Sequence, residues 1–482
     1  MAQARPKNSI VARFDRLGAR DGTRTLWIGP DRHATVADVD ALAALAGAAL
    51  AAAGLGEPRA LGLIAANGPG FLSGLLACWR AGHAAVLLDP RAPAHELARA
   101  AAACGASESL RVMTAWPSTA ADFVIERHPG RSRPSATIEP AAVIKLTSGS
   151  TGSPRGVAVT AEALLADDAA LRATMGIVTT DRLLATLPFS HSYGLSTLVI
   201  PALVDGVSLV AAAATDPFLP LRAAERATAT VLPTVPSWIA ALLRLAEPPA
   251  LPSAVRLVIT AGAPLIPDTA VQFRERFGLP VHVFYGASEC GGITYDRSGE
   301  AGERGTVGEP VDGVRVALAP IDGLDVACGR VVVESPSVAL SYVPDVDARL
   351  SSGRFVSHDL ATSDGAELRL LGRLDDLINV RGRKVNPTEI ERVIAELDAV
   401  DDVVVHAIDG PLPGDRSVRA VVACAGGQLS GQRVAEWCRG RLSDYKVPRS
   451  VLVVRVIPRD SRGKIDRLAL AGLVRATPPS HA

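Results

Sequence analysis

Residues 146–157 read Leu-Thr-Ser-Gly-Ser-Thr-Gly-Ser-Pro-Arg-Gly-Val, a stretch rich in glycine and hydroxyl residues. The apolar residues 141–144 before it predict a buried strand, and residues 157–160 after it predict a returning strand. A loop of glycine and hydroxyl residues between two strands can turn several backbone N–H groups inward and so bind an anion. Arg155 adds positive charge. We therefore predict that the loop binds a phosphate chain.

Two other interpretations of this loop are possible. A flexible surface hairpin is the simplest, because Gly/Ser/Thr loops are common. A Walker-type nucleotide loop is the second, but it requires G-x-x-x-x-G-K-S/T followed by a helix. Here Gly152 is followed by Ser-Pro-Arg-Gly and then by a predicted strand, so the Walker type is excluded.

Length, charge and cysteine content limit the class of protein. The 482 residues are too many for one ordinary hydrophobic core, so we expect two or more domains. The formal net charge of zero gives no indication of a nucleic-acid partner. The six cysteines form no C-x-x-C pair, so neither a zinc site nor a disulfide framework is predicted.

The sequence predicts neither a signal peptide nor a membrane span. The first 18 residues have no apolar core of a signal peptide, and no run of about 18 uncharged apolar residues predicts a membrane span. The predicted location is cytoplasmic.

The chain has five lysines, Lys7, Lys145, Lys384, Lys446 and Lys464, among 50 basic residues, so a lysine inside a motif needs an explanation.

Hydrophobic patterns in the first half of the chain alternate between the two element types. Residues 59–65 predict a strand, residues 70–81 a helix and residues 84–90 another buried strand. Such alternation is typical of a mostly parallel sheet covered by helices. Residues 257–259 and 281–284 predict further strands, each followed by small residues where open α/β sheets bind ligands.

The loop at 146–157 resembles the phosphate loop of the acyl-adenylate-forming superfamily, which includes acyl-CoA synthetases, adenylation domains of peptide synthetases and luciferases. Further motifs follow in the order of that superfamily between about residues 70 and 467. The resemblance implies an α/β fold, with a large N-terminal domain of mostly parallel sheets layered with helices and a small, mobile α+β C-terminal domain. The chain is identified as a member of this superfamily, most like an acyl-CoA synthetase.

The segment Leu-Pro-Phe-Ser-His-Ser-Tyr-Gly at 187–194 matches the superfamily pattern P-x-x-H-x-x-G. The resemblance implies that His191 lines the carboxylate pocket near the adenylate, although a lone histidine could also cap a helix or bond a turn. Relatives that activate α-amino acids carry Asp at the next position, where this chain has Ser192. Because a buried, uncompensated ammonium would be costly, an amino-acid substrate is not expected.

Residues 285–289, Tyr-Gly-Ala-Ser-Glu, match the motif Y-G-x-S/T-E. Tyr285 offers a flat face for adenine, Ser288 a hydroxyl for phosphate and Glu289 a hard oxygen ligand for Mg²⁺. For Glu289 alone, a solvated position near a helix start is the alternative. Small residues around this motif and at 262–263 suggest a roomy, apolar acyl pocket.

The second half of the chain contains the remaining motifs. Residues 357–359, Ser-His-Asp, stand where the superfamily has T/S-G-D, so His358 replaces Gly while Asp359 remains to accept the ribose hydroxyls. Residues 371–380 resemble the G-R-x-D-D hinge, with Arg373 reaching the ribose or phosphate and Asp375 as the pivot. We place the adenylation domain at 1–374 and the small domain at 375–482, and we expect disorder after Arg475.

The resemblance implies two half-reactions. The acid attacks the α-phosphate of ATP, pyrophosphate leaves, and Lys464 bridges the carboxylate and the phosphate. After the small domain rotates, the thiol of coenzyme A displaces AMP, with residues 381–383 near the pantetheine arm. The basic residues there could also be a solvated cluster.

The alternatives to this function are a stand-alone ligase that loads the phosphopantetheine of a carrier protein and a degenerate nucleotide-binding member without ligase activity. The expected cofactors are ATP, Mg²⁺ and coenzyme A, or a phosphopantetheinylated carrier protein. The candidate site residues are, for catalysis, Lys464, His191 and Glu289; for ATP or AMP, Thr147, Ser148, Gly149, Ser150, Thr151, Gly152, Arg155, Gly262, Ala263, Tyr285, Gly286, Ser288, Asp359 and Arg373; for the acyl group, His191, Ser192, Gly262 and Gly291; for the hinge, Asp375; for coenzyme A or pantetheine, Arg381, Gly382 and Arg383; and for the metal, Glu289.

Overall fold

The structure is a computed structural model. It describes residues 8–128, 141–148, 154–212, 219–321, 328–380, 383–409, 416–426, 429–459, 465–476 and 480–481. The chain divides into two compact units, Met1–Val316 with Val333–Val356 and Ala317–Val332 with Ser357–Ala482. No helix among the described residues is long and apolar enough to cross a membrane.

The larger unit contains a nine-stranded sheet whose six central strands, from Val281–Ala287 to Thr25–Ile28, run parallel. In spatial order the strands are Glu309–Pro310, Gly291–Tyr295, Val281–Ala287, Leu257–Thr260, Val231–Thr234, Arg182–Ala185, Ser208–Ala211, Thr25–Ile28 and His33–Thr35. Short apolar runs such as Leu-Val-Ile-Thr at 257–260 are buried on both faces, as parallel strands require.

A seven-stranded sheet carries the phosphate-loop hairpin. Its spatial order is Ser341–Val343, Pro154–Thr160, Ala141–Ser148, Ala84–Leu88, Ala60–Ile64, Glu108–Val112 and Phe123–Arg127. Ala141–Ser148 pairs antiparallel with Pro154–Thr160, from Ala141 opposite Thr160 to Ser148 opposite Pro154. The predicted pair of strands is therefore confirmed, and a strand follows the loop where a Walker loop would be followed by a helix; residues 149–153 lie outside the described residues.

Helices cover these two sheets. Pro69–Arg80, predicted at 70–81, is buried over its whole length up to Trp79, because it packs against the neighbouring strands Ala60–Ile64 and Ala84–Leu88 that it connects and against helix Val36–Ala52. The α-helices of this unit are Ser9–Asp21, Val36–Ala52, Pro69–Arg80, Ala94–Ala103, Ala161–Met175, Ser192–Gly194, Ile200–Asp205, Leu219–Arg226, Pro236–Leu243, Pro267–Phe277 and Ala301–Arg304. A π-helical turn at Leu195–Val199 joins Ser192–Gly194 to Ile200–Asp205.

A five-stranded sheet follows, with Arg315–Pro320, Cys328–Glu334, Arg354–Asp364 and Leu350–Ser351 in this order and Glu367–Arg373 paired with Arg354–Asp364. The rest of the chain forms a hairpin of Ile378–Val380 and Arg383–Val385 and a four-stranded sheet of Asp402–Asp409, Arg416–Ala423, Ser450–Val454 and Ser480–His481. Its helices are Pro387–Ala395, Gly431–Arg439 and Arg467–Ala476. The predicted α/β class, with a smaller α+β part at the C-terminus, is confirmed.

Two details of the smaller unit concern the start of its first helix and its last strand. Helix Pro387–Ala395 begins at Pro387, and the side chain of Asn386 caps it by accepting a hydrogen bond from the N–H of Thr388. The expected disorder after Arg475 is wrong for Ser480–His481, which pairs antiparallel with the edge strand Ser450–Val454. Backbone pairing at an open sheet edge needs no hydrophobic side chains, so composition gave no indication of it.

All six cysteines of the chain, Cys78, Cys104, Cys290, Cys328, Cys424 and Cys438, are free thiols and all are buried. They behave as small apolar core residues. Burial raises the pKa of Cys78 and of Cys104 to about 12. The prediction that the cysteines form no disulfide framework agrees with this arrangement.

Candidate active site

The base of the phosphate loop is closed by a side-chain contact. The hydroxyl of Thr147 donates a hydrogen bond to the carbonyl oxygen of Arg155 at 3.3 Å. Ser148 is the last residue of its strand. Gly149, Ser150, Thr151 and Gly152 lie outside the described residues, so their phosphate-binding role stays a prediction.

Arg155 is held by a neighbouring segment of the same unit. Its guanidinium lies 3.1 Å from Oδ2 of Asp347 and 3.2 Å from the carbonyl oxygen of Asp345, and its Cζ lies 3.9 Å from the ring centre of Tyr342. Asp347 also binds Arg349 at 2.6 Å. Hydrogen bonds from Arg349 and then from Arg155 hold the pKa of Asp347 well below its usual range. Arg155 therefore carries its charge in a fixed position beside the hairpin.

Glu289 follows the strand Val281–Ala287 and is partly buried. Its Oε1 accepts a hydrogen bond of 2.9 Å from the hydroxyl of Tyr342, and its backbone carbonyl accepts one of 2.8 Å from the N–H of Ala339. Burial, followed by the charge of Glu289, raises the pKa of Tyr342, so the phenol keeps its proton and remains a donor.

The carboxylate of Glu289 fits the requirements of Mg²⁺. Among the described residues, no group of three or more His, Cys, Asp and Glu side chains is arranged to hold a metal ion. Mg²⁺ is usually bound by one or two carboxylates together with substrate phosphates and waters. A single hard oxygen donor, already oriented by Tyr342, is consistent with that mode of binding.

The predicted acid-binding and phosphate-binding residues meet at one point. The hydroxyl oxygens of Ser192 and Ser288 are 2.6 Å apart. Ser192 is the first residue of the helical segment that starts after His191, and Ser288 lies in the turn after Val281–Ala287. The hydrogen bond therefore joins two motifs that are 96 positions apart in the sequence.

His191 occupies the position just before this helix, but its side chain makes no capping hydrogen bond. Its Nε2 lies 3.5 Å from Oδ2 of Asp89, and one third of the side chain is exposed. Burial alone would raise the pKa of Asp89, but His191 and Arg91 outweigh it and hold the pKa below its usual range. Asp89 therefore remains an anion beside the imidazole. Because the His191 side chain contacts Asp89 and makes no capping hydrogen bond, helix capping does not explain why histidine is at this position.

Tyr285 and Gly286 lie in the C-terminal half of the strand Val281–Ala287, and Gly262 and Ala263 follow the end of the adjacent parallel strand Leu257–Thr260. Tyr285 is partly buried, whereas the other three are exposed. Gly262 has a positive φ of 88°, and nothing lies within 4 Å of the place where a Cβ would be. These residues thus occupy the end of the sheet at which α/β proteins bind ligands.

Gly291 and Gly292 lack a side chain for a different physical reason. A Cβ on Gly291 would lie 2.2 Å from Oδ1 of Asp167, and one on Gly292 would lie 2.6 Å from the Leu171 side chain. Asp167 also accepts a hydrogen bond from the N–H of Gly292 at 2.9 Å. Close packing against helix Ala161–Met175 therefore explains these glycines without the roomy pocket that the sequence suggested. The role of Gly291 at the acyl group stays a prediction.

In the smaller unit, the predicted ribose and hinge residues form one polar cluster. Asp359 lies opposite Arg373 in the antiparallel pair of Arg354–Asp364 and Glu367–Arg373. Arg373 lies 3.9 Å from the carboxylate of Asp359 and 3.8 Å from that of Asp375. Nδ1 of His358 is in hydrogen-bond contact with Oδ2 of Asp375. The residue that departs from the superfamily pattern thus contacts the predicted pivot.

The candidate coenzyme A residues are described in part. The guanidinium of Arg383 lies 4.7 Å from the ring centre of Tyr445. Arg381, Gly382 and Lys464 lie outside the described residues, and their roles stay predictions.

Comparison with known proteins identifies the family. A model of the AMP-binding enzyme family matches residues 14–343, and a model of the AMP-binding enzyme C-terminal domain matches residues 389–464. The chain belongs to the AMP-binding enzyme family. The acyl-adenylate-forming superfamily that the motifs indicated is thereby confirmed.

Several curated members of the AMP-binding enzyme family are similar to this chain over most of their length. A feruloyl-CoA synthase of Amycolatopsis is 30% identical over 439 residues, which are 86% of this chain and 89% of that protein. A long-chain-fatty-acid–CoA ligase of Mycobacterium tuberculosis is 28% identical over 481 residues, which are 93% and 95% of the two chains.

Solved structures of AMP-binding enzymes share the fold. An o-succinylbenzoate CoA synthetase of Bacillus subtilis in complex with its acyl-adenylate intermediate superposes with a TM-score of 0.81 at 23% identity, covering 98% of this chain and 99% of that one. An amide bond synthetase of Marinactinospora thermotolerans gives 0.80 at 26% identity, covering 97% and 100%.

Three residues near the candidate site, Tyr342, Asp167 and Lys145, belong to no motif that indicated a role for them. Lys145 lies on the phosphate-loop strand and is 2% exposed. Burial lowers its pKa, while the negative charges of Asp167 and Glu289 oppose that shift. The scarcity of lysine was a signal that could have identified Lys145, since a lysine inside an otherwise apolar strand is not surface filler.

Proposed function

We propose that this protein is an acid–thiol ligase that activates a fatty or aryl carboxylic acid with ATP and transfers the acyl group to coenzyme A. The observation that carries the proposal is the 2.6 Å contact between the hydroxyls of Ser192 and Ser288. It supports a shared reaction centre because it joins the predicted start of the acid pocket to the predicted phosphate-binding motif. The named activities of the feruloyl and long-chain fatty acid relatives support the substrate class.

In the first half-reaction a carboxylate oxygen attacks the α-phosphate, and pyrophosphate leaves. Two anions must approach each other, so positioned positive charge and hydrogen-bond donors are needed. The loop at 149–152 and Arg155 would bind the β- and γ-phosphates, and Lys464 would bridge the carboxylate and the α-phosphate as a compact charge. Glu289 would hold Mg²⁺, which when bound neutralises charge on the phosphates.

His191 would orient the substrate carboxylate in this scheme. Its contact with the Asp89 anion at 3.5 Å fixes one side of the imidazole. Ser192 introduces no carboxylate beside the acid pocket, so an α-ammonium group would lack a counter-ion there. Fatty or aryl acids therefore suit the site better than amino acids.

In the second half-reaction the thiol attacks the acyl carbon, and AMP leaves. We assign Asp375 as the hinge between residues 1–374 and 375–482, Asp359 and Arg373 as ribose and phosphate ligands, and residues 381–383 as the pantetheine contact. A carrier protein bearing phosphopantetheine would present the same thiol, so it is the second candidate acceptor.

The deciding experiment measures pyrophosphate release from ATP and Mg²⁺ with a panel of fatty, aryl and amino acids. Each acid is tested with coenzyme A, with a phosphopantetheinylated carrier protein and without any thiol. We expect release that depends on one acid class and accelerates with coenzyme A. Acceleration by the carrier protein alone would replace coenzyme A as the acceptor.

Two further outcomes would contradict the assignment. ATP binding without pyrophosphate release across the whole panel would support a degenerate nucleotide-binding protein. Unchanged adenylation in Lys464→Ala would exclude the role given to Lys464.

A further inference from the structure

Tyr342 lies in the row of side chains that borders the phosphate loop. It is opposite Val157 in the antiparallel pair of Ser341–Val343 and Pro154–Thr160, and Val157 is opposite Lys145 on the next strand. Residues directly opposite on neighbouring strands share a face of the sheet, and so do residues two positions apart on one strand. Tyr342 therefore shares its face with Thr147 and Arg155.

Each end of the Tyr342 side chain contacts a different candidate residue. The hydroxyl donates to Oε1 of Glu289 at 2.9 Å, and the ring packs against the guanidinium of Arg155 with 3.9 Å from Cζ to the ring centre. Tyr342 is 2% exposed, while a quarter of the Arg155 side chain is exposed. A hydrogen bond from a buried phenol to a carboxylate is strong, and a cation on an aromatic face is also favourable.

A second arginine fixes the ring. Arg349 lies 5.5 Å from the ring centre of Tyr342, and it shares the carboxylate of Asp347 with Arg155. The ring is therefore restrained by two guanidinium groups, which Asp347 holds together. Because the ring is restrained, its hydroxyl presents a fixed donor to Glu289.

We propose that Tyr342 is a positioning residue for adenylation, whose hydroxyl orients the Glu289 carboxylate for Mg²⁺ and whose ring holds Arg155 beside the phosphate loop. This inference rests on the proposed function, since it assigns Glu289 to the metal and Arg155 to the phosphates. A carboxylate that is already oriented loses less side-chain entropy when it binds a cation. Tyr342 thereby couples the metal site to the phosphate loop without touching the reacting atoms.

The first test is Tyr342→Phe, which removes the hydroxyl and keeps the ring. We expect the Mg²⁺ concentration for half-maximal pyrophosphate release to rise about tenfold, the effect of one hydrogen bond to a charged group, while the KM for the acid stays unchanged. Tyr342→Leu also removes the ring that holds Arg155, so the KM for ATP of this variant should exceed that of Tyr342→Phe. Tyr295→Phe, a buried tyrosine outside the candidate site, is the matched control and should match the wild type.

A double-mutant cycle separates positioning from general structural support. If Tyr342 acts through Glu289, Tyr342→Phe should change the Mg²⁺ dependence little in a Glu289→Gln background. Equal effects of Tyr342→Phe in both backgrounds, or a wild-type Mg²⁺ dependence of the single variant, would overturn the proposal.

Direct binding keeps the two proposals distinguishable. Titration calorimetry of ATP at several Mg²⁺ concentrations needs no turnover. With Tyr342→Phe, the Mg²⁺ concentration needed for half-maximal ATP binding should rise as it does in the pyrophosphate assay. If the wild type releases no pyrophosphate with any acid, the proposed function fails, while the calorimetric comparison still decides whether Tyr342 positions Glu289.

Discussion

At the scale of single residues, hydrogen bonds and ion pairs between side chains orient the polar groups of the candidate site. The hydroxyls of Ser192 and Ser288 satisfy each other at 2.6 Å, and Asp89 remains charged beside His191. Such contacts fix side-chain rotamers before a substrate arrives, which is how a site becomes preorganised.

Replacing Ser192 by Ala should lower the rate of pyrophosphate release roughly three- to tenfold, because Ser288 loses the hydrogen bond that orients it. The matched control is Ser73→Ala, since that buried hydroxyl bonds the Gly70 carbonyl at 3.1 Å within helix Pro69–Arg80. Steady-state kinetics with the preferred acid provide the measurement. If both variants lost the same fraction of the rate of pyrophosphate release, the cause would be general destabilisation and not the contact with Ser288.

Asp168 should make the stability of the fold depend on pH. Burial, with the neighbouring Asp205 and Asp167, raises the pKa of Asp168 to about 7, although Arg172 at 3.3 Å opposes the shift. An unfolded Asp ionises near pH 4. The stability that this group contributes is therefore complete below about pH 4 and is lost as the pH rises through 7.

Asp168→Asn removes this titration, so the melting temperature of the variant relative to the wild type should increase between pH 5 and pH 8.5. Asp181→Asn is the matched control, because Arg256 pairs with Asp181 at 2.6 Å and the pKa of Asp181 is lowered, despite its burial. Its difference from the wild type should stay constant over that range. A constant difference for Asp168→Asn as well would contradict the assignment.

At the scale of elements, the contact between His358 and Asp375 ties the strand Arg354–Asp364 to the short 3₁₀ turn Leu374–Asp376. The superfamily pattern has Gly at the position of His358, and Gly could not make this contact. If Asp375 is the pivot, the contact restrains the backbone rotation that separates the two half-reactions.

We therefore expect His358→Gly to raise the rate of thioester formation relative to adenylation by a few-fold, since the restraint on Asp375 is lost. Single-turnover measurements of both half-reactions would give the two rates. His358→Gln retains a hydrogen-bonding side chain and should stay close to the wild type. A drop in adenylation alone would indicate that His358 supports the neighbouring Asp359 instead.

At the scale of the whole molecule, local patterns in the sequence predicted several helices and strands but few of the contacts between them. The apolar run at 84–90 and the helical pattern at 70–81 are local, so single stretches of sequence were enough to predict these elements. The bond from Tyr342 to Glu289 joins residues 53 positions apart. It joins a strand of the seven-stranded sheet to the turn after Val281–Ala287 of the nine-stranded sheet, and no local pattern encodes how two sheets meet.

The same distinction applies to the candidate site. Motif residues such as Ser288, Glu289 and His191 could be named because their spacing is fixed within short segments. The packing of Asp167 under Gly291 could not, because it depends on how helix Ala161–Met175 lies against the sheet. The cytoplasmic location and the domain boundary at 374 remain predictions.

The six buried cysteines make the protein suitable for site-specific labelling. Thiol-directed dyes react with accessible thiolates, and burial suppresses both accessibility and ionisation. One cysteine introduced on the surface of each compact unit should therefore react selectively, without prior removal of the native thiols. A pair of fluorophores attached in this way would report the distance between the two units during turnover, as ATP, the acid and the thiol are added in sequence.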